Sequence, residues 1–141
     1  MKRNNEEETT QLCLLTWSKC FYFYYNNERI CLFDYLFHIP NGGSRNIIEA
    51  VKLKKLGVKA GVSDIFIPVP VLSCTNGSEN INDLNDVIYC GLWIELKSKK
   101  GKLTKMQNEF FNKMNKMRYI TKVCYSFEEA KNVIQNYLEL V

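Results

Sequence analysis

Residues 91–102 read Gly-Leu-Trp-Ile-Glu-Leu-Lys-Ser-Lys-Lys-Gly-Lys, and the reading of this stretch governs the rest of the chain. Leu92, Ile94 and Leu96 alternate with Trp93, Glu95 and Lys97, the period-two pattern of a half-buried strand. Side chains two apart on a strand leave the same face roughly 7 Å from one another. Glu95 and Lys97 therefore stand side by side, opposite an aliphatic face. Alone, a Glu-x-Lys pair is accounted for as solvated charge on an edge strand. Its neighbours give it another reading.

Upstream, Val62 to Val71 alternates well enough for a second strand, and Pro68 and Pro70 end it or place it on an edge. Asp64 lies at its start. If this strand pairs as a hairpin with the one resumed over Val87 to Lys99, Asp64 comes beside Glu95 on one face. Two carboxylates so placed repel and raise each other's pKa unless a cation lies between them. A hard divalent ion with oxygen ligands, Mg²⁺ or Mn²⁺, is the natural occupant. Lys97 then stands where an ammonium orients a water or stabilises charge developing on phosphate oxygens. These three side chains are the minimum set for metal-dependent phosphodiester hydrolysis.

Working outward, Met1 to Asn5 reads as a frayed tail, and Glu6 to about Tyr25 as a helix carrying Leu12 and Leu15. Glu6, Glu7 and Glu8 are explained as favourable charge at a helix N-terminus, with room for one of them to serve chemistry. The aromatic run Phe21 to Tyr25 is ambiguous between helix end and strand, and Asn26-Asn27 marks a break. Ile30 to Ile39 is extended toward its end, where Pro40-Asn41-Gly42-Gly43 turns the chain. Asn46 to Leu56 reads as a helix with Ile47, Val51 and Leu56 inward, closed by Gly57. Ser73 to Asp86 is a polar loop between the two central strands. Thr104 to Met117 is an amphipathic helix with Met106, Phe110, Met114 and Met117 recurring at helical spacing and Thr104 with Gln107 as a capping box. A strand over Ile120 to Tyr125 precedes a last helix, Ser126 to Leu140, with Ala130, Val133, Ile134, Tyr137 and Leu138 inward. This order predicts one α/β domain over residues 1–141, a central mixed β-sheet flanked by α-helices.

Composition excludes several alternatives. A chain of 141 residues, 46% hydrophobic and 24% charged, matches an ordinary globular domain, and no apolar run approaches the length of a membrane span. The polar, acidic N-terminus is not a secretory signal, so an intracellular, cytoplasmic protein is expected. Six scattered cysteines without a Cys-x-x-Cys pair predict free, mostly buried thiols. One histidine, His38, leaves little basis for a zinc site or a histidine-dependent triad. The net charge is +4, with basic clusters at Lys52, Lys54, Lys55 and Lys59 and from Lys97 through Lys105, a distribution suited to a polyanion.

The residues in order resemble the PD-(D/E)xK nucleases and, among them, the stand-alone, virus- or phage-type VRR-NUC domain. The likeness is carried by His38, Pro40, Asn41, Gly42, Gly43 and Arg45; by Gly57, Val58, Gly61, Val62 and Asp64; and by Glu95-Leu96-Lys97 followed by Gly101, Lys102, Leu103, Thr104 and Gln107. It covers roughly residues 6 to 138. It implies a restriction-endonuclease-like core, with Asp64, Glu95 and the Leu96 carbonyl as Mg²⁺ or Mn²⁺ ligands and Lys97 as the catalytic lysine. A first-helix glutamate completes that set: Glu7, four before Gln11, fits best, and Glu8 follows. Gln107 lies near the site in such domains, although its capping role explains it equally well. Arg45, Lys59, Lys99 and Lys102 would meet DNA phosphates, while His38 and Asn41 brace their loop. Ser63 departs from the proline usual in the family, and the 73–86 loop is an insertion.

The resemblance further implies an endonuclease on branched DNA, such as four-way junctions, working as a homodimer without a membrane partner. A nuclease of another specificity (restriction-type or single-strand), or a non-catalytic DNA-binding module on the same fold, are the alternatives.

Overall fold

The computed structural model describes residues 5–40, 46–73 and 87–141. Residues 1–4, the Asn41 to Arg45 loop and all but Ser73 of the 73–86 insertion lie outside the described residues. The elements in order are α1 (Asn5–Ser18), β1 (Tyr22–Tyr25), β2 (Glu28–Cys31), a 3-10 turn (Leu32–Tyr35), β3 (Phe37–His38), α2 (Ile47–Lys55), β4 (Ile65–Ile67), β5 (Val71–Leu72), β6 (Val87–Tyr89), β7 (Gly91–Leu96), α3 (Lys105–Lys116), β8 (Tyr119–Cys124) and α4 (Phe127–Leu138). The central sheet has the order β3-β4-β7-β8. Its first three strands run antiparallel to their neighbours, and β7 pairs with β8 in parallel across the α3 crossover. This is the mixed sheet with flanking helices that the element order predicts.

Alternation on the two central strands sorts the molecule into halves. Ile65 faces Ile94 and Ile67 faces Leu92, all fully buried, and together with Leu96 and Cys124 they form the aliphatic face. Leu14 of α1 and Ala130 and Ile134 of α4 close over it in one continuous core. Tyr137 adds a buried hydroxyl that donates to the Val69 carbonyl. On the opposite face Phe66 stacks on Trp93 with ring centroids 4.2 Å apart, and Phe110 of α3 meets Trp93 edge-on at 5.0 Å.

Several expectations are corrected. The first helix stops at Ser18, and Tyr22–Tyr25 is a strand, because Asn26 and Asn27 both adopt positive φ (51° and 63°) and turn the chain straight into β2. On α1 it is Leu14 and Ser18 that point inward, while Leu12 is exposed. The Ser18 hydroxyl donates to the Leu15 carbonyl, which lets a polar side chain sit in the interior. The strand expected over Val62 to Val71 is divided at Pro68 and Pro70 into β4 and the separate β5–β6 ribbon, so β4 and β7 pair without forming a simple hairpin.

Ile47, Val51 and Leu56 of α2 face solvent, because no described element packs on that side of the helix. Met106 and Met117 are likewise exposed, whereas Phe110, Phe111 and Met114 are half-buried positions of α3. The thiols are free among the described cysteines, yet only Cys124 is buried; Cys13 and Cys20 lie on the outer surface. No helix among the described residues is long and apolar enough to cross a membrane.

Candidate active site

The polar half of the Trp93 face ends in a cluster of ionisable groups. Extending the β4–β7 register one residue beyond Ile65–Ile94 sets Asp64 opposite Glu95. The Leu96 backbone N–H donates to Asp64 Oδ2 at 2.8 Å, tying the carboxylate of one strand to the backbone of the next. On the other side of Asp64, its carbonyl accepts from the Ile39 N–H at 2.8 Å and lies 3.1 Å from His38 Nδ1. His38 thus braces the Asp64 backbone.

Glu95 is 2% exposed. Its Oε1 takes two donors: Lys97 Nζ, 2.9 Å away, and the Gln107 side-chain amide in a short hydrogen bond. Its Oε2 is buried and has no partner among the described residues. Burial, then the charge of Asp64, push the Glu95 carboxyl up to about 7, against the opposing pull of Lys97. Burial likewise raises Asp64, while the Leu96 N–H and Lys97 act in the other direction. Each carboxylate therefore sits in a position that an added positive charge would relieve.

Gln107 performs two tasks at once. The Thr104 hydroxyl accepts from the Gln107 N–H at 3.3 Å, and Gln107 Oε1 accepts from the Thr104 N–H at 2.9 Å, a complete capping box for α3. Because the cap occupies the amide oxygen, the amide nitrogen is the group left to face Glu95. One side chain thus both caps α3 and contacts Glu95.

From α1, Glu7 Oε1 accepts from the Ser98 N–H at 2.9 Å, just past the end of β7, and its charge acts on both Asp64 and Glu95. Glu8 lines an adjacent cavity of about 450 Å³ together with Gln11, Leu12, His38 and Asp64. Of the two glutamates, Glu7 is the one that contacts the strand bearing Glu95. Glu6 Oε2 accepts from the Lys99 N–H at 3.4 Å. The capping-box spacing marks the Thr104 N–H in the sequence, but nothing there marks the Leu96 and Ser98 N–H groups that hold Asp64 and Glu7. Every non-proline residue carries such a donor, so no local signal marks them.

Among the basic residues expected to meet phosphates, Lys59, Lys99 and Lys102 are exposed and Arg45 lies outside the described residues. Gly61 seats the Asp64 loop directly on α3: it has φ +84°, and a Cβ there would stand 2.7 Å from the Met106 backbone. Ser63 is fully buried beside Asp64, with its hydroxyl unpartnered among the described residues.

No family model and no curated protein matches the chain. Among solved structures, one described as a "VRR_NUC domain protein" is similar to it, with a TM-score of 0.72 and 28% identity over 98% of this chain and 92% of that one. The likeness supports the VRR-NUC resemblance at the level of the fold, and places the Asp64, Glu95 and Lys97 cluster within an architecture shared with that protein.

Proposed function

We propose that this chain is a metal-dependent DNA endonuclease that prefers branched DNA, such as four-way junctions, and works as a homodimer. The observation that carries the reading is the cluster of Asp64, Glu95 and Lys97, with one Glu95 oxygen held by two donors and the other buried without a partner among the described residues. The likeness to a VRR_NUC domain protein supports the nuclease class. Among the described residues, no three carboxylate, imidazole or thiol groups lie close enough to hold an ion between them. A site built on two carboxylates fits Mg²⁺ or Mn²⁺, because Mg²⁺ is commonly bound through one or two carboxylates with water and phosphate oxygens completing its shell.

Asp64, Glu95 and the Leu96 carbonyl are the proposed ligands, and Glu7 of α1, held on the Ser98 N–H, adds negative charge beside them. The bound ion would polarise a phosphate oxygen and lower the pKa of a coordinated water. The protein's own groups do the rest. Gln107 and the Leu96 N–H fix the two carboxylates in place. The Lys97 ammonium, held beside Glu95, orients the attacking water and meets negative charge growing on the phosphate. Lys59, Lys99, Lys102 and Arg45 bind the DNA backbone, so affinity falls steeply with salt.

The test is cleavage of a labelled panel (four-way junction, flap, duplex, single strand) with Mg²⁺ or Mn²⁺ by wild type and Glu95→Ala, with binding followed by gel shift. Paired incisions near the junction, reduced about 10²- to 10³-fold or more in the variant while binding survives, are expected. Binding without cleavage in either metal, equal in the two proteins, would leave a DNA-binding module and sink the enzymatic reading.

A further inference from the structure

Between Tyr22 and Phe37 five aromatic side chains stand 39–69% exposed: Tyr22, Tyr24, Phe33, Tyr35 and Phe37. Every exposed large hydrophobic in that segment is a ring. Arg29 lies over the Tyr22 ring at 4.1 Å and Lys19 over the Phe33 ring at 5.2 Å. The charges of residues 19–37 are two cations, Lys19 and Arg29, and two carboxylates, Glu28 and Asp34. In a chain of net charge +4, this surface is neutral.

We infer that the β1–β2 hairpin and the 3-10 turn after it form the surface on which a second copy of this chain docks. The inference deepens the homodimer of the proposed function and rests on it. Aromatic residues and Arg are enriched at the centres of protein interfaces, where net charge is depleted. An isologous contact presents the same patch twice, so it must be self-complementary. Paired cations and carboxylates satisfy that condition, each Lys19 and Arg29 finding Glu28 or Asp34 across the axis.

The four half-exposed rings of the hairpin and 3-10 turn, Tyr22, Tyr24, Phe33 and Tyr35, supply roughly 400 Å² on the scale of 150–250 Å² per buried aromatic. The four charged side chains around them bring the patch toward the ~800 Å² per partner of a standard interface. The other exposed apolar surface, α2, fails the charge condition: Ile47, Ile48, Val51 and Leu56 lie among Lys52, Lys54, Lys55 and Lys59 against a single Glu49. A platform for unpaired bases would also use rings and cations, but Glu28 and Asp34 on the same surface repel phosphates.

Sedimentation velocity of the full chain, free of DNA and metal, tests this. Wild type should run at twice the chain mass, and Tyr24→Glu and Phe33→Glu should each weaken self-association about tenfold or more, as for loss of a central interface ring. Their far-UV circular-dichroism spectra should match wild type, showing that the fold is kept, and Ile47→Glu should leave the dimer unchanged. A wild type that stays monomeric at its highest soluble concentration overturns the inference, as do glutamate variants that dimerise like wild type. So does a monomer whose hairpin is protected from proteolysis by oligothymidylate, which would make the rings a base platform. Cleavage is no part of this readout. A chain that dimerises through the rings without cutting DNA keeps the surface and removes the nuclease reading, and a monomer that cuts does the reverse.

Discussion

On one face of strands β4 and β7 stand Ile65, Ile67, Leu92, Ile94 and Leu96, each at most 2% exposed; on the other stand Asp64, Phe66, Trp93, Glu95 and Lys97. The two sets alternate along the same few residues of backbone. The first is worth about 1.5–3 kcal/mol per fully buried side chain. The second sinks a carboxylate into the protein and leaves Glu95 Oε2 and Trp93 Nε1 without partners among the described residues, each an expense in stability. Period-two geometry is what allows the two roles to coexist, since changing one side chain leaves its neighbours pointing the other way. One face stabilises the sheet that holds the other in position.

The contrast is open to direct attack. The largest effect is expected on the aliphatic face: Ile94→Ala should lower unfolding free energy by about 2–5 kcal/mol, as for other fully buried isoleucines, measured by urea denaturation. A loss below 1 kcal/mol would mean that this face is not the main support of the sheet.

The next test asks whether the polar face does cost stability. The Glu95 carboxyl is pushed up to about 7 from 4.5, so between those values the folded state keeps a proton that the unfolded chain has lost. Its contribution is therefore most favourable below pH 4.5 and is lost as pH rises through 7. In EDTA, the melting temperature of wild type should fall relative to that of Glu95→Gln by several degrees between pH 5 and pH 8, and added Mn²⁺ should reverse the trend only in wild type. A gap that does not change with pH would place no cost on this carboxylate.

The smallest effect concerns Cys124, on the aliphatic face, whose thiol burial pushes up to about 12. In native protein at pH 8 it should resist iodoacetamide while exposed Cys13 and Cys20 are alkylated, as read by mass spectrometry. Rapid labelling of Cys124 would show that the aliphatic face opens.

What could be read before any coordinates is what local pattern encodes. Alternation at 91–97 set Glu95 and Lys97 on one face, Asp64 joined them only on the assumption that its strand pairs antiparallel with theirs, which it does without forming a hairpin, and the Thr104-x-x-Gln107 spacing located the start of α3. Patterns that depend on a distant surface misled. Ile47, Val51 and Leu56 have helical spacing, but spacing does not say whether anything lies against the helix, and here no described element does. The run Phe21 to Tyr25 suits a helix or a strand alike, and the two positive-φ asparagines that decide the matter follow it. The split of the strand over 62–71 was signalled by Pro68 and Pro70, though the separate ribbon it produces was not. Which first-helix glutamate meets β7 depends on the reach of a side chain across 91 residues of sequence, a long-range contact that no local rule supplies.

Gly61 gives the site one last property. Because its absent side chain lets the loop before Asp64 rest on the backbone of Met106, the spacing between that loop and α3, and hence between Asp64 and the helix that carries Gln107, is gauged by main chain against main chain. Rotamer changes elsewhere leave such a gauge untouched, so the chain can drift widely in sequence around it. A single added methyl group acts as a shim. It would meet the Met106 backbone from a φ of +84° that side chains rarely adopt, and so set the two halves of the machinery out of alignment.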